Sequence, residues 1–578
     1  MFRKAKASGE HMEDQKLENL LNLALDTPES EREKSKELNV GYDQQDKTWQ
    51  LIVRYSGLAE GLEGEGISVY PLLGRYAVVT IRESLIPSFS ARPEIEYVEK
   101  PKRLFFAVNR AKTASCISPV QVPPLNLSGK GVLVAVVDSG IDYFHEDFRN
   151  PDGSTRILKL WDQVLDRVFT EGELNQALQA GNRSEARKLV PSADVSGHGT
   201  AVAGIAAGSG REGKGRYRGV AYESPLLVVK LGVPDPEGFP KTTELMKAVD
   251  FVVRQAEVYH MPVSVNLSFG NTYGSHDGTS LLETFLDSAV DYGRVSVSVG
   301  TGNEGSGSGH TSGMLEQGQM LDVELSVAPY ETGFGLQLWK SYTDDMKISL
   351  ITPSGQVVGP ISQAQGTQTI EVDGTRVLLY YGMPSPYSQA QEIYFDFIPG
   401  DRYIDSGIWK IRLEGGRIVL GNFDFWLPSG NVLNQSTGFL NPTPDITLTI
   451  PSTSALAISV GAYDDRYESY ADFSGRGYTR VTDQVKPDLA APGVSIITVS
   501  AGGGYAPVTG TSFATPFVAG SGALLMEWGI IQGNDPYLYG QKLKAYLLKG
   551  ARQLPGFEKW PNPMLGYGVL CVKDSLPF

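Results

Sequence analysis

The sequence predicts an α/β protein built on a parallel sheet flanked by helices, led by a small α+β unit and interrupted by an all-β insertion. Three observations point there. From Leu127 onward, near-continuous apolar runs alternate with helical segments through glycine turns. Residues 12–110 carry an amphipathic helix followed by alternating strand-like runs. Residues 313–444 lose the helical period and become short alternating runs rich in aromatic and turn residues.

Residues 1–11 have little pattern and read as a leader or a vector-derived extension. In the unit that follows, 12–110, Leu17, Leu20, Leu21 and Leu25 recur at helical spacing and predict a short amphipathic helix. Alternating runs at Thr48–Tyr55 and Arg75–Arg82, with a shorter one at Ile95–Val98, predict strands; short helices fit Gly57–Gly64 and Glu83–Ser90. Helices and strands in that order make a small α+β sandwich.

The parallel-sheet pattern occupies 111–312 and resumes over 445–578. Buried strands are predicted at Val132–Val137, Leu226–Lys230, Val263–Leu267 and Val295–Val299, with helices at Thr200–Ala207 and Thr243–Tyr259. Continuous apolar strands imply a sheet covered on both faces. Between the two parts, runs at Leu321–Val327, Lys347–Leu350, Thr375–Tyr381, Glu392–Phe397 and Ile408–Leu413 predict an inserted β-sandwich or jelly roll over 313–444.

A chain of 578 residues fits two to four domains, and 41% hydrophobic with 20% charged residues describes a globular protein. The net charge of −15 argues against nucleic acid as the main partner. Met1-Phe-Arg-Lys-Ala-Lys has no apolar stretch behind it, so no Sec signal is read, and no run long enough to cross a membrane is read either. An intracellular protein without a membrane partner is the expectation. Its two cysteines, Cys116 and Cys571, read as free thiols rather than a bridge.

The chemistry concentrates in three segments. Ser512 follows Gly510-Thr511 and opens an apolar run, Phe513 to Trp528, that reads as a buried helix. A serine at a helix start sits beside unpaired N–H groups and the positive end of the dipole, which favour developing negative charge. The segment Val195-Ser-Gly-His198-Gly-Thr200 supplies a base. Val134-Ala-Val-Val-Asp138-Ser-Gly140 supplies a carboxylate at a strand end. Asp, His, Ser is one of the chain orders of the serine triad.

Together with Val299-Gly-Thr-Gly-Asn303-Glu-Gly305, these segments resemble the subtilase family of serine proteases, which implies a subtilisin-like fold. The short leading unit, the absent secretion signal and the β insertion resemble its Csp group of clostridial spore proteases. The resemblance implies that Ser512 is the nucleophile, His198 the general base, Asp138 its orienting partner and Asn303 an oxyanion donor. It implies that 12–110 is a propeptide that assists folding and binds in the cleft, with Leu104–Cys116 continuing as a product-like tail and the cut between Ala107 and Ala114. Ser268, Phe269 and Gly270 would line one wall of the substrate pocket, and Gly300 and Gly302 the other. Many subtilases carry a histidine where Ala201 stands, a position outside the triad.

No cofactor and no metal are expected. The loop Gly208–Arg218 matches a calcium-binding loop of secreted relatives, yet it holds four cations and only Glu212 as a carboxylate, although Asp147 stands where a ligand would. His145 is expected to be structural, and His11, His260, His276 and His310 to lie in loops or at the surface. The function implied is a serine endopeptidase acting on protein or peptide substrates. It would process its own propeptide and activate a protein zymogen, with a spore cortex hydrolase as the implied target and a spore-associated location. The alternative is a catalytically silent subtilase-fold scaffold. The insertion would clamp the protein or, less favoured, bind carbohydrate through its aromatics.

Overall fold

Thr48–Tyr55 buries every second side chain, Trp49, Leu51, Val53 and Tyr55, and exposes Gln50, Ile52 and Arg54. That period of two marks a strand covered on one face. It lies in the middle of a five-stranded antiparallel sheet: Tyr76–Arg82 and then Ile67–Leu72 on one side, Tyr42–Asp43 and Ile95–Glu99 on the other. The helices Asn19–Asp26 and Ile86–Ser90 cover the buried face through Leu21, Ala24, Ile86 and Phe89. Sequence reading missed Ile67–Leu72, an edge strand whose side chains are largely exposed and which contains Pro71.

This computed structural model describes residues 16–32, 38–72, 75–101, 107–180, 182–232, 240–363, 366–384, 388–430 and 432–577. The chain divides into two units, 1–105 and 106–578. The side chain of Leu20 and the stretch 102–106 lie outside the described residues.

The second unit is organised by a nine-stranded sheet. Its order is Ser469–Tyr470, Ile458–Asp464, Val295–Gly300, Val263–Leu267, Leu133–Asp138, Leu226–Lys230, Ile157–Asp162 and Arg167–Thr170, with Leu489–Pro492 also paired to Ile458–Asp464. The inner pairs are parallel and the outermost ones antiparallel. Leu133–Asp138 is buried throughout. Leu133, Ala135 and Val137 pack under the helices Thr242–Val258 and Leu281–Tyr292, while Val134 and Val136 pack under His198–Ala207 and Thr511–Met526. A strand buried on both faces has no polar alternation, which is why these runs read as continuous apolar sequence.

Between Asn303 and Ile450 the chain builds two antiparallel sheets. One has the order His310–Met314, Asn422–Trp426, Phe334–Ser341, Ala390–Pro399, Thr375–Tyr381, Gly366–Val372. The other runs Val357–Val358, Met346–Ile351, Gly407–Gly415, Met320–Val327, Gly438–Phe439. Their shared core includes Leu325, Leu338, Phe395, Phe397, Trp409 and Phe425, so most of its large aromatics are packing residues.

Four expectations need correction. Cys116 and Cys571 are joined in a disulfide across 455 positions of sequence. The two ends of this unit meet there, with Val572 N–H donating to Ser115 O at 2.9 Å, and residue pattern carries no record of that meeting. Ala107–Ala114 is a helix, not an extended tail; Ala111 is buried and Lys112 Nζ donates to Gly219 O at 3.1 Å. His276, although in a loop as expected, and His310, on the strand His310–Met314, are buried and not superficial, each stacked on the ring of Trp426 at centroid distances of 4.2 and 4.7 Å. Finally, Thr511–Ile531 is a helix long and apolar enough to cross a membrane, but 89% of its apolar window is buried in the core of this unit.

Candidate active site

Asp138 ends the strand Leu133–Asp138 and is wholly buried. His198 opens the helix His198–Ala207, and Gly197 before it has φ 76°, a left-handed turn that glycine adopts without steric cost. One carboxylate locks the two together. Asp194 Oδ1 accepts from Gly197 N at 2.9 Å and Ser139 Oγ at 2.8 Å, while its Oδ2 accepts from Thr200 N at 2.8 Å and Thr200 Oγ1 at 2.6 Å. Orphan N–H groups of the helix start are thereby satisfied.

In this frame His198 Nδ1 lies 2.7 Å from Asp138 Oδ1. A carboxylate there can only accept, so Nδ1 carries the proton and Nε2 is left as the basic nitrogen. Burial disfavours the imidazolium, but the charge and hydrogen bond of Asp138, with the charge of Asp194, outweigh it and hold His198 above its ordinary value. The rings of Phe513 and Phe269 flank the imidazole at 5.2 and 6.2 Å.

Ser512 is the second residue of the helix Thr511–Met526. Its Oγ donates to Ser268 O at 3.3 Å, and Ser268 Oγ donates back to Ser512 O at 3.0 Å. The hydroxyl is thus aimed at Ser268, not at His198. Asn303 Oδ1 accepts from Thr511 N at 3.0 Å and Thr511 Oγ1 at 3.2 Å, which orients the amide and leaves Nδ2 as its donor end. Ser512 and Asn303 share a cleft of about 190 Å³ with Ser268, Phe269, Gly270, Gly300 and Gly302. All nine residues singled out in the sequence therefore fall at one end of the parallel sheet, where strand ends and helix starts converge.

Asp194, Thr449, Glu304 and Ser429 also belong to this region and were not foreseen. Asp194 had a signal: an Asp shortly ahead of a Gly-His helix start is a capping pattern. Glu304 directly follows Asn303, whereas Thr449 and Ser429 line the cleft from segments distant in sequence. His145 is buried beside the helix, with Nε2 at 2.7 Å from Glu212 Oε2 and Nδ1 accepting from Asp147 N at 3.1 Å. Asp147 Oδ1 in turn accepts from Glu212 N at 3.0 Å, and Tyr505 donates to both its oxygens at 3.0–3.1 Å.

Known proteins resemble this chain in both of its units. Residues 15–102 match the family described as Csp protease B prodomain, and residues 129–375 and 422–568 match the Subtilase family. The structure of the CspB protease of Clostridium perfringens is similar at 36% identity and a TM-score of 0.76, covering 80% of this chain and 96% of that one. Minor extracellular protease Vpr of Bacillus subtilis is 25% identical over 78% of this chain, which spans 52% of Vpr's length. Subtilisin E of B. subtilis is 31% identical over 41% of this chain and 51% of its own. With more than half of its length matched by that family, this chain belongs to the subtilase family of serine proteases and carries a Csp-type prodomain ahead of its catalytic unit.

Proposed function

We propose that the protein is a serine endopeptidase that cuts off its own propeptide and then activates a protein zymogen by limited proteolysis. The observation that carries this is the Asp138–His198 hydrogen bond beside a cleft shared by Ser512 and Asn303. In the proposed reaction Ser512 Oγ leaves the Ser268 carbonyl, a change of one side-chain torsion, and donates to His198 Nε2. It attacks a peptide carbonyl while His198 takes its proton. Asp138 stabilises the imidazolium, and Asn303 Nδ2 with the backbone N–H of Ser512 stabilises the oxyanion. His198 then protonates the leaving amine.

Proteases take their substrates as extended chain. The helix at Ala107–Ala114 therefore moves the proposed processing bond to the N-terminal side of Ala107. On the strength of the Csp kinship, the zymogen assigned is a spore cortex hydrolase, and the place of action the producing cell or its spore. The two-sheet insertion, jelly-roll-like in outline, acts as a clamp on the catalytic unit.

The test is the intact mass of wild type beside Ser512→Ala, expressed identically. Release of a fragment of roughly 12 kDa, at ~110 Da per residue, from wild type alone is the expected result. If both chains stay whole at 62.7 kDa, autoprocessing is wrong and the silent-scaffold reading replaces it.

A further inference from the structure

We propose that the cavity beside the Asp194–Gly197 turn is an exosite, in which Arg187 and the free N–H groups of Arg183 bind a carboxylate of the protein substrate. This rests on the protease reading above. It concerns which chains are held, not how the bond is broken.

The cavity, of about 360 Å³, opens between the helix Arg183–Leu189 and the segments 141–144, 192–195 and 501–502. It is continuous with the catalytic cleft. Val195, 93% exposed, lines both this cavity and the one that holds His198, Ser268 and Phe269. Ser268 and Phe269 in turn line the cleft of Ser512. An extended chain lying over His198 can therefore run past Val195 into this cavity.

Its hydrogen-bonding groups are unevenly spent. Asp142 accepts from Arg183 Nη1 at 2.6 and 2.7 Å, from Phe144 N at 3.2 Å and from Gly502 N at 2.9 Å. Asp194, the other carboxylate of the lining, is spent on the turn around His198. The acceptors are thus used, and the donors are not. Arg183 gives Asp142 only Nη1, which leaves Nη2 and Nε. Arg187 is exposed and, among the described residues, makes no hydrogen bond or ion pair. At i and i+4 of one helix, the two arginines share a face. A guanidinium carries only donors, in a fork that matches a carboxylate. Cations gather here although the chain's net charge is −15: the guanidiniums of Arg149 and Arg183 lie 4.6 and 5.1 Å from the centre of the Phe144 ring. A Glu or Asp side chain supplies the acceptor oxygens and the charge that complement these groups.

The chain's own segment around the proposed processing bond offers the cavity nothing. Residues 100–114 carry five lysines and arginines and no carboxylate. The exosite therefore separates an acidic substrate acting in trans from the propeptide's own tail.

The experiment uses the full chain and peptide amides built on its own processing bond, each with one position between P5 and P4′, other than P1, set to Gln or to Glu. The two side chains have the same shape and differ in charge. The readout is the Glu-to-Gln ratio of kcat/KM on one preparation, from which any unfolded fraction drops out. At one position, or two adjacent ones, wild type should favour Glu by about 3- to 10-fold, the worth of a partly exposed charge-assisted pair. Added NaCl should shrink that preference. Arg187→Ala should bring the ratio to unity, and Arg187→Lys, which keeps the charge but not the fork, should retain part of it. Inorganic phosphate should slow the Glu peptide ahead of the Gln peptide. If phosphate acts on both alike and Arg187→Ala abolishes its effect, the cavity takes a free ion and the substrate assignment is wrong. A ratio of unity at every position, or a preference for Glu that Arg187→Ala leaves intact, overturns the exosite alone. If no peptide is hydrolysed and Ser512→Ala behaves identically, the protease reading fails and the exosite falls with it.

Discussion

His198 Nδ1 and Asp138 Oδ1 lie 2.7 Å apart, where a strand end meets a helix start. The pair sets a pH dependence. His198 must be neutral at Nε2 to accept the Ser512 proton, and its charged form is favoured beyond the ordinary imidazole value. Between about pH 6.5 and the raised value it is still protonated and idle. The acid limb of kcat/KM should therefore have its midpoint above that of free imidazole. Stability runs the other way: the charged pair's contribution is complete below the unfolded pKa and is lost as pH rises through the folded one. Asp138→Asn should lower the midpoint and reduce kcat about 10⁴-fold. An acid limb at or below the free-imidazole range would contradict the assignment.

The bridge from Cys116 to Cys571 closes nearly the whole second unit. A cross-link that restrains the unfolded chain stabilises by about 2–4 kcal/mol. Cys571→Ser, or reduction of wild type, should lower the urea midpoint correspondingly. In the native protein neither cysteine should react with iodoacetamide before reduction, and both should react after it. Alkylation of either without reductant would show that the thiols are free.

Much of this arrangement was legible because its signals are local. Asp138, His198 and Ser512 each stand at a strand end or helix start with an apolar run of their own behind or ahead of them, and a strand such as Val263–Leu267 is buried at every position. What stayed hidden depends on residues that meet only in three dimensions. Thr449 and Ser429 reach the cleft from segments more than a hundred positions beyond Asn303. His276 and His310 are buried against Trp426, a partner no spacing rule supplies. Ile157–Asp162 and Arg167–Thr170 escaped notice because they lie toward the sheet's edge and are only partly covered.

Asp194 positions the base rather than touching substrate. Its two oxygens accept five hydrogen bonds, one from Ser139 beside Asp138 and four from Ser196, Gly197 and Thr200 around His198, and its charge adds to that of Asp138. Asp194→Ala should cost about 1 kcal/mol of stability, the usual worth of a helix cap. It should also move the acid limb of kcat/KM to lower pH. Asp194→Asn, which keeps an acceptor oxygen but no charge, should retain more of the stability and still shift the limb. If neither variant moves the pH profile, the carboxylate is only a cap.

The insertion is fastened to loops of the parallel-sheet part of the unit by a buried ion pair as well as by stacking. Arg480 Nε donates to Asp424 Oδ2 at 2.6 Å with both side chains at most 6% exposed, and His310 Nε2 lies 3.4 Å from Asp424 Oδ1. Asp424 and Trp426 stand two apart on one insertion strand, so they present the same face to the core. Burial alone would raise the Asp424 carboxyl, but the His310 hydrogen bond and the Arg480 charge hold it below the usual range. A depressed carboxyl adds stability that is present above about pH 4 and lost as pH falls through the folded value. Asp424→Asn leaves a guanidinium buried without its counter-charge, which costs about 3–5 kcal/mol. Hydrogen exchange should then rise first in Asn422–Trp426 and in the segment around Arg480, ahead of the parallel sheet, and wild type should reproduce that order on acidification. Uniform loosening of the whole unit in the variant would mean that this pair supports the fold at large and does not fasten the insertion in particular.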